Sequence, residues 1–139
     1  KIEEKLFLID SGKPVETTGE MVEYVSTKSI KNIINKIEIE TKKILDAIEK
    51  ENVVLFKESI VNNEKLLEEI GVVSDNTKKL IKDLSQFGVG KVTGAGGQKI
   101  GSGFILFYAD LTDKLINFLK KRKIIYYKFI PDYQGVKKI

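Results

Sequence analysis

The stretch that decides the fold is Lys91-Val92-Thr93-Gly94-Ala95-Gly96-Gly97, which stands just before a strongly apolar segment. Most of the 11 glycines in the chain lie between Gly71 and Gly103. Each glycine permits a positive φ and a close approach of the backbone to another group. A run of such small residues can turn several amide N–H groups toward one point and form an anion-binding nest. The alternative is a hairpin loop whose glycines satisfy turn geometry alone.

Apolar periodicity outside this stretch predicts strands that alternate with helices. On the C-terminal side we expect a strand over residues 104–109, a helix capped by Asp110 or Thr112, a strand over residues 124–130 and a last strand over residues 135–139. On the N-terminal side, residues 5–10 form a short apolar segment that predicts a buried strand, and a helix then opens at Thr17 or Thr18.

Three further helices are predicted between that first helix and the glycine-rich stretch. Isoleucine and leucine recur at three- and four-residue steps from Ile30 to Ile48, which predicts one apolar stripe on a long helix. The next helix covers residues 53–69 and ends at Gly71, and the last starts at the N-cap Ser74 and closes at Gly88. The pattern predicts an α+β, ferredoxin-like sandwich with additional helices on one face of the sheet.

Composition excludes several classes of site. The chain of 139 residues contains no cysteine and no histidine, so disulfides, thiolate metal sites and His-based acid–base chemistry are absent. The net charge of +4 comes from acidic and basic residues that are interleaved along the helices, which disfavours a nucleic-acid partner. No apolar run approaches the ~20 residues that cross a bilayer. We therefore expect a cytoplasmic protein without a membrane or nucleic-acid partner.

Residues 91–97 resemble the third motif of the GHMP small-molecule kinases, which typically reads K-x-T/S-G-A-G-G-G-G. Residues 66–74 are similar to a helix of that family that ends in L-x-x-L-G-V-S, and residues 5–22 to its strand and helix I-x-D-T-G-x-x-x-x-T. The resemblance covers nearly the whole chain and is greatest to the mevalonate kinases. It implies that residues 1–139 are the C-terminal domain of such an enzyme. Gln98-Lys99-Ile100 make the glycine loop look longer than in the family.

The resemblance also implies a second domain. In the family, an N-terminal domain binds ATP through a P-x-x-x-G-L-x-S-S loop and carries the catalytic Asp and a nearby Lys. No such loop occurs here, and the two prolines are Pro14 and Pro131. We therefore expect no catalytic residue and no metal ligand in this chain, and no phosphate transfer by it alone. ATP and Mg²⁺ would be bound mainly by the N-terminal kinase domain, with mevalonate or a similar alcohol as substrate.

The family motif assigns the phosphate and nucleotide contacts to the backbone amides of Gly94, Ala95, Gly96 and Gly97. It places Thr17 and Thr93 near the acceptor alcohol. Thr17 has an alternative role as the N-cap of its helix, because a threonine hydroxyl accepts hydrogen bonds from the first helical amides. Thr93 can instead pair across the strand.

Two other functions remain open at the level of sequence. The same motif occurs in phosphomevalonate kinases and sugar kinases, so the acceptor is not defined by it. A ferredoxin-like domain can also be a non-catalytic module that binds an effector or another protein. The long isoleucine stripe offers enough apolar surface for a homodimer.

Overall fold

A four-stranded antiparallel sheet forms the centre of the computed structural model, which describes residues 1–131. The strands β1 (Leu6–Asp10), β2 (Gly88–Thr93), β3 (Phe104–Ala109) and β4 (Tyr126–Lys128) lie in the order β2-β3-β1-β4. The pairs Phe7–Phe107 and Ile9–Ile105 set the register of the two central strands. This is the strand order of a split βαβ, ferredoxin-like sheet, which confirms the predicted fold class.

The helices confirm the predicted element order. They are α1 (Thr18–Ser26), α2 (Lys31–Glu49), α3 (Val53–Ile70), α4 (Asp75–Leu84) and α5 (Thr112–Lys121), and a short 3₁₀ helix (Ile2–Lys5) precedes β1. A ferredoxin-like fold has one helix between β1 and β2, and α4, which packs beside α5 on one face of the sheet, takes that place. Helices α1 to α3 are therefore the additional ones.

Local capping explains where the helices start and stop. The Thr17 hydroxyl accepts from the N–H of Glu20, and the Ser74 hydroxyl accepts from the N–H of Thr77, as the sequence predicts for N-caps. Gly71 ends α3 with a φ of +91°, a left-handed conformation that glycine adopts without steric cost.

Both faces of the sheet are covered, and the prediction of helices on one face is wrong. Successive side chains of a strand point to opposite faces. On one face, strand residues and helices α4 and α5 bury a cluster that includes Phe7, Ile9, Ile105, Phe107, Leu84, Leu115 and Leu119. On the other, strand residues and helices α2 and α3 bury Leu6, Tyr108, Ala47, Phe56 and Ile60. From Leu6 to Ile9, every residue of β1 and its partner in β3 is apolar or aromatic, so both faces of the sheet have to be covered.

The predicted isoleucine stripe of α2 is divided between two clusters. Ile33 and Ile37 pack with α1 and with Val92 of β2, whereas Ile44 packs against the α2–α3 face of the sheet. Ile34 and Leu45 remain at least half exposed. No helix within residues 1–131 has the length and apolar character needed to cross a membrane.

Three predicted boundaries differ from the structure. Gly88 does not close α4, which ends at Leu84; Gly88 opens β2, where a Cβ would overlap the Tyr108 carbonyl oxygen. Neither Asp110 nor Thr112 caps α5, since the N-cap position is Leu111 and the Asp110 carboxylate pairs with Lys57 at 2.6 Å. The strand predicted over 124–130 is confined to Tyr126–Lys128. The strand predicted over 135–139 lies outside the described residues.

Candidate functional site

The glycine loop, residues 94–103, joins the antiparallel strands β2 and β3 and folds back onto the turn between α3 and α4. The N–H of Gly97 donates to the Val72 carbonyl at 2.9 Å, and a parallel bridge joins Gly97 to Val73. Gly96 has a φ of +78°, and a Cβ at this position would overlap the Val72 carbonyl oxygen. The backbone of the loop is therefore in direct contact with the α3–α4 turn, which only glycine permits at Gly96.

A network of buried hydroxyl groups holds the second half of this loop, residues 97–102. Ser102 is fully buried, and its hydroxyl oxygen accepts from the N–H of Ser74 at 2.9 Å while the hydroxyl donates to the Gly97 carbonyl at 2.9 Å. The Ser74 hydroxyl donates to the Ile100 carbonyl at 2.8 Å. Ser74 therefore caps α4 and anchors the loop at the same time.

The same network reaches the end of β1. The Ser11 hydroxyl accepts from the N–H of Ser102 at 3.1 Å and donates to the Gly103 carbonyl at 2.6 Å. Sequence reasoning missed Ser11 and Ser102. The available signal was a single serine between Gly101 and Gly103, at a place where neighbouring chain segments approach closely.

Glu16 anchors the segment Gln98-Lys99-Ile100, by which the glycine loop is longer than the family motif. One oxygen of its carboxylate accepts from the N–H of Gln98 at 2.8 Å, and the other is buried without a donor in the described part of the chain. Burial acts to raise the pKa of Glu16, but backbone N–H groups, among them those of Gln98 and Lys99, and the Lys99 ammonium outweigh it and lower the pKa below the usual value. At neutral pH this side chain is an anion that fastens residues 98–99 to the segment before α1.

A small pocket opens on the exposed side of the loop. Its volume is about 180 Å³, which is below the ~300–1,000 Å³ of sites that enclose a whole drug-sized ligand. It therefore fits one end of a ligand. The lining residues are Pro14, Glu16, Thr18, Thr93, Gly94, Ala95, Gly96, Ser102, Gly103 and Phe104.

The pocket unites Thr93, Gly94, Ala95 and Gly96 of the predicted site residues. Among the described residues, nothing accepts a hydrogen bond from the N–H of Gly94, Ala95 or Gly96. These three amides are free to bind an anion, whereas the N–H of Gly97 is already used by Val72.

Thr17 lies beside the pocket without lining it. Its hydroxyl oxygen accepts from the N–H of Glu20 at 3.1 Å, which is the N-cap role, and the neighbouring Thr18 lines the pocket instead. No group of three or more acidic side chains in residues 1–131 is arranged to hold a metal ion.

Replacing Ser102 by alanine tests the hydroxyl network. Ser102→Ala leaves the buried N–H of Ser74 and the Gly97 carbonyl without their partner, so we expect a loss of about 1–3 kcal/mol in the free energy of unfolding. Urea denaturation measures this loss. The matched control is Ser85→Ala, at an exposed serine after α4, which should change stability little; an equal effect of both variants would contradict the role of Ser102.

The lowered pKa of Glu16 predicts a pH dependence of stability. The unfolded carboxyl has a pKa of ~4.3, so the ionised group stabilises the folded chain above that pH, and the contribution is lost as the pH falls through the lower, folded value. Glu16→Gln should therefore be less stable than the unsubstituted chain at neutral pH and lose less stability on acidification. Denaturation curves at several pH values measure both effects, with the exposed Glu23→Gln as control. Parallel curves for Glu16→Gln and the unsubstituted chain would refute the anchor.

Comparisons with known proteins show which solved structures have this fold. No family model and no curated protein matches the sequence. Among solved structures, mevalonate kinase of Methanococcus jannaschii matches 91% of the chain with a TM-score of 0.70 and 22% identity. The Lin0012 protein of Listeria innocua matches 90% with a TM-score of 0.75 and 25% identity. Streptococcus pneumoniae phosphomevalonate kinase, solved with phosphomevalonate and AMPPNP, matches 89% with a TM-score of 0.74 and 21% identity.

The chain spans about two fifths of these proteins, namely 39%, 38% and 39% of their lengths. A mevalonate diphosphate decarboxylase of Enterococcus faecalis also has this fold, at 12% identity and a TM-score of 0.64. The chain therefore has the fold of one part, about two fifths of the length, of these mevalonate kinase and phosphomevalonate kinase structures.

Proposed function

We propose that this chain is the C-terminal domain of an ATP-dependent small-molecule kinase of the GHMP type, with mevalonate as the acceptor. The observation that carries the proposal is the glycine loop: three free amides, at Gly94, Ala95 and Gly96, line a pocket and are braced from behind by buried hydrogen bonds. Phosphoryl transfer depends mainly on positioning and on stabilising the charge of the transferred group. Preorganised backbone amides perform that task.

The residues of this chain fit the phosphate end of a nucleotide. The amides of Gly94, Ala95 and Gly96 would donate to phosphate oxygens, and Gly97 would hold the loop in place rather than bind. The exposed Thr93 hydroxyl, next to them, would donate to the same group or to the acceptor alcohol. ATP supplies the phosphoryl group when it is bound.

The proposed acceptor end of the pocket lies at the start of α1, where Pro14, Glu16 and Thr18 line it. We assign Thr18, with Thr93, to contact with the acceptor alcohol, and Thr17 to fixing the start of α1 so that Thr18 lines the pocket. The Glu16 carboxylate closes the same wall, and its ionised state disfavours a second anion beside it. This arrangement suits a hydroxyl group at that wall.

Catalytic groups and Mg²⁺ ligands are proposed to come from an N-terminal domain, since the described part of this chain has no acidic cluster for a metal. That domain would close over the glycine loop and complete the site. A phosphomevalonate or sugar acceptor is the alternative within the same class, and solved structures of this fold include a phosphomevalonate kinase. A cytoplasmic location and a homodimer remain predictions.

The direct test is an assay of the protein expressed from its complete reading frame. We expect a P-x-x-x-G-L-x-S-S loop upstream of Lys1 and ATP-dependent phosphorylation of mevalonate, with no turnover by residues 1–139 alone. Phosphorylation of phosphomevalonate or a sugar in place of mevalonate would correct the acceptor. An upstream sequence without a nucleotide loop, together with binding of an effector by this chain, would favour a non-catalytic module.

The loop itself is tested in the complete enzyme by Ala95→Val. Ala95 is exposed, so the fold should tolerate the larger side chain, but a branched Cβ beside the free amides displaces the group they bind. Loss of one such donor costs roughly 10²–10³ in turnover in comparable sites, and we expect kcat/KM to fall at least about ten-fold with little change in Tm. Asn117→Val, at an exposed position of α5, is the control. Full activity of Ala95→Val would show that the loop is only structural.

A further inference from the structure

Within residues 1–131, the outer edge of β2 is open over part of its length. Among the strands of that part of the chain, β2 pairs only with β3, and hydrogen-bonded pairs alternate along an antiparallel ladder. The N–H of Asp110 donates to the Phe87 carbonyl at 2.8 Å, so this pair is a hydrogen-bonded one. By alternation, the backbone groups of Gly88, Gly90 and Val92 point away from β3.

Of these three residues, Val92 is the one whose outward backbone groups form hydrogen bonds with side chains. Its N–H donates to Glu64 at 2.8 Å, and its carbonyl accepts from the Lys91 ammonium at 2.9 Å. Within residues 1–131, no side chain bonds to the outward groups of Gly88 or Gly90. Two glycines therefore present unpaired backbone N–H and C=O groups at the edge.

These groups face a cavity of about 450 Å³ between α3, α4 and β2, which we call the edge recess. This volume lies in the ~300–1,000 Å³ range of small-molecule sites. Val61, Ile81 and Val89 supply apolar wall, and Gly88 and Gly90 supply the backbone edge. The edge recess lies apart from the pocket of the glycine loop, since no lining residue is shared.

Glu64 lines the edge recess and is 4% exposed. Its second carboxyl oxygen is buried. Burial, together with a side-chain hydrogen bond to Glu68 and the charge of that carboxyl one turn further along α3, raises the pKa of Glu64 to about 8, against the Val92 N–H and the Lys91 charge. At neutral pH the Glu64 carboxyl is protonated and carries no charge.

Lysines surround the mouth of the edge recess. Lys65 and Lys82 are exposed and have no acidic partner within 4.0 Å among the described residues, and the ammonium of Lys78 lies 3.8 Å from an Asp75 oxygen. The negative charge that faces these three cations in the recess is that of Glu68, because Glu64 is neutral. The charge of the site therefore favours an anion.

We propose that the edge recess binds a small organic anion with a short apolar body, such as a medium-chain carboxylate. Its anionic group would accept from the outward N–H groups of Gly88 and Gly90 and from the lysines at the mouth, and a charged acceptor makes such bonds shorter and stronger. Its apolar body would lie against Val61, Ile81 and Val89. Because Gly88 and Gly90 belong to β2, the bound anion would touch the strand that leads into the glycine loop.

Titration of the isotope-labelled chain with three six-carbon probes tests this site by NMR. Hexanoate should give saturable shifts at the amides of Gly88, Val89 and Gly90. Hexanol should bind about ten-fold more weakly, because it lacks the charge-assisted bonds, and hexylamine should not bind. Equal binding of the three probes, or shifts that do not saturate, would overturn the proposal.

Two sets of variants identify the groups involved. Lys65→Gln combined with Lys82→Gln should weaken the binding of hexanoate by about ten-fold. The exposed pair Lys79→Gln and Lys114→Gln, outside the edge recess, should leave that binding unchanged.

As the pH rises through about 8, Glu64 ionises beside Glu68, and hexanoate should be released despite the positive charges of Lys91 and the mouth lysines. Glu64→Gln stays uncharged at every pH and should therefore bind hexanoate with no such pH dependence. Binding that ignores the lysine pair, or an unchanged pH profile in Glu64→Gln, would contradict the assignment.

Discussion

The buried hydroxyl of Ser102 joins three parts of the chain that are far apart in sequence. It contacts the N–H of Ser74 at the start of α4 and the carbonyl of Gly97 in the loop, while its own N–H donates to Ser11 after β1. Each of these backbone groups is costly to bury without a partner. The position of the loop relative to β1 and α4 therefore depends on one small side chain and on the close approach that its glycine neighbours allow.

This constraint divides the loop into two parts with different roles. Gly96 and Gly97 lie against the α3–α4 turn, and Gln98 is tied to Glu16. Gly94 has no neighbour within 4 Å of the position that a Cβ would take, and Ala95 is exposed. The residues of one motif thus serve two purposes: Gly96 and Gly97 permit packing, and Gly94, Ala95 and Gly96 present free amides. Solved structures of the fold include two kinases and a decarboxylase, so the chemistry has to be read from the loop and its pocket.

Sequence reasoning succeeded where the signal was local. The caps Thr17 and Ser74, the end of α3 at Gly71 and the strand after the glycine loop all follow from neighbouring residues. It failed where the decisive contact was distant. Gly88 reads as a helix terminator, but its place in the sheet is set by the close approach of Tyr108, and no sequence signal marked the contact between Glu16 and Gln98. Apolar periodicity carries no information about such long-range contacts.

Amide hydrogen exchange across residues 94–103 tests most directly the claim that the glycine loop is held at one end and open at the other. The N–H groups of Gly97, Gln98, Ser102 and Gly103 are all hydrogen-bonded within the chain, and those of Gly94, Ala95 and Gly96 have no acceptor among the described residues. We expect slow exchange for the first group, approaching that of β3, and fast exchange for the second. Equally fast exchange throughout the loop would show that the hydroxyl network does not hold it, and equally slow exchange would show that its amides are not free to bind.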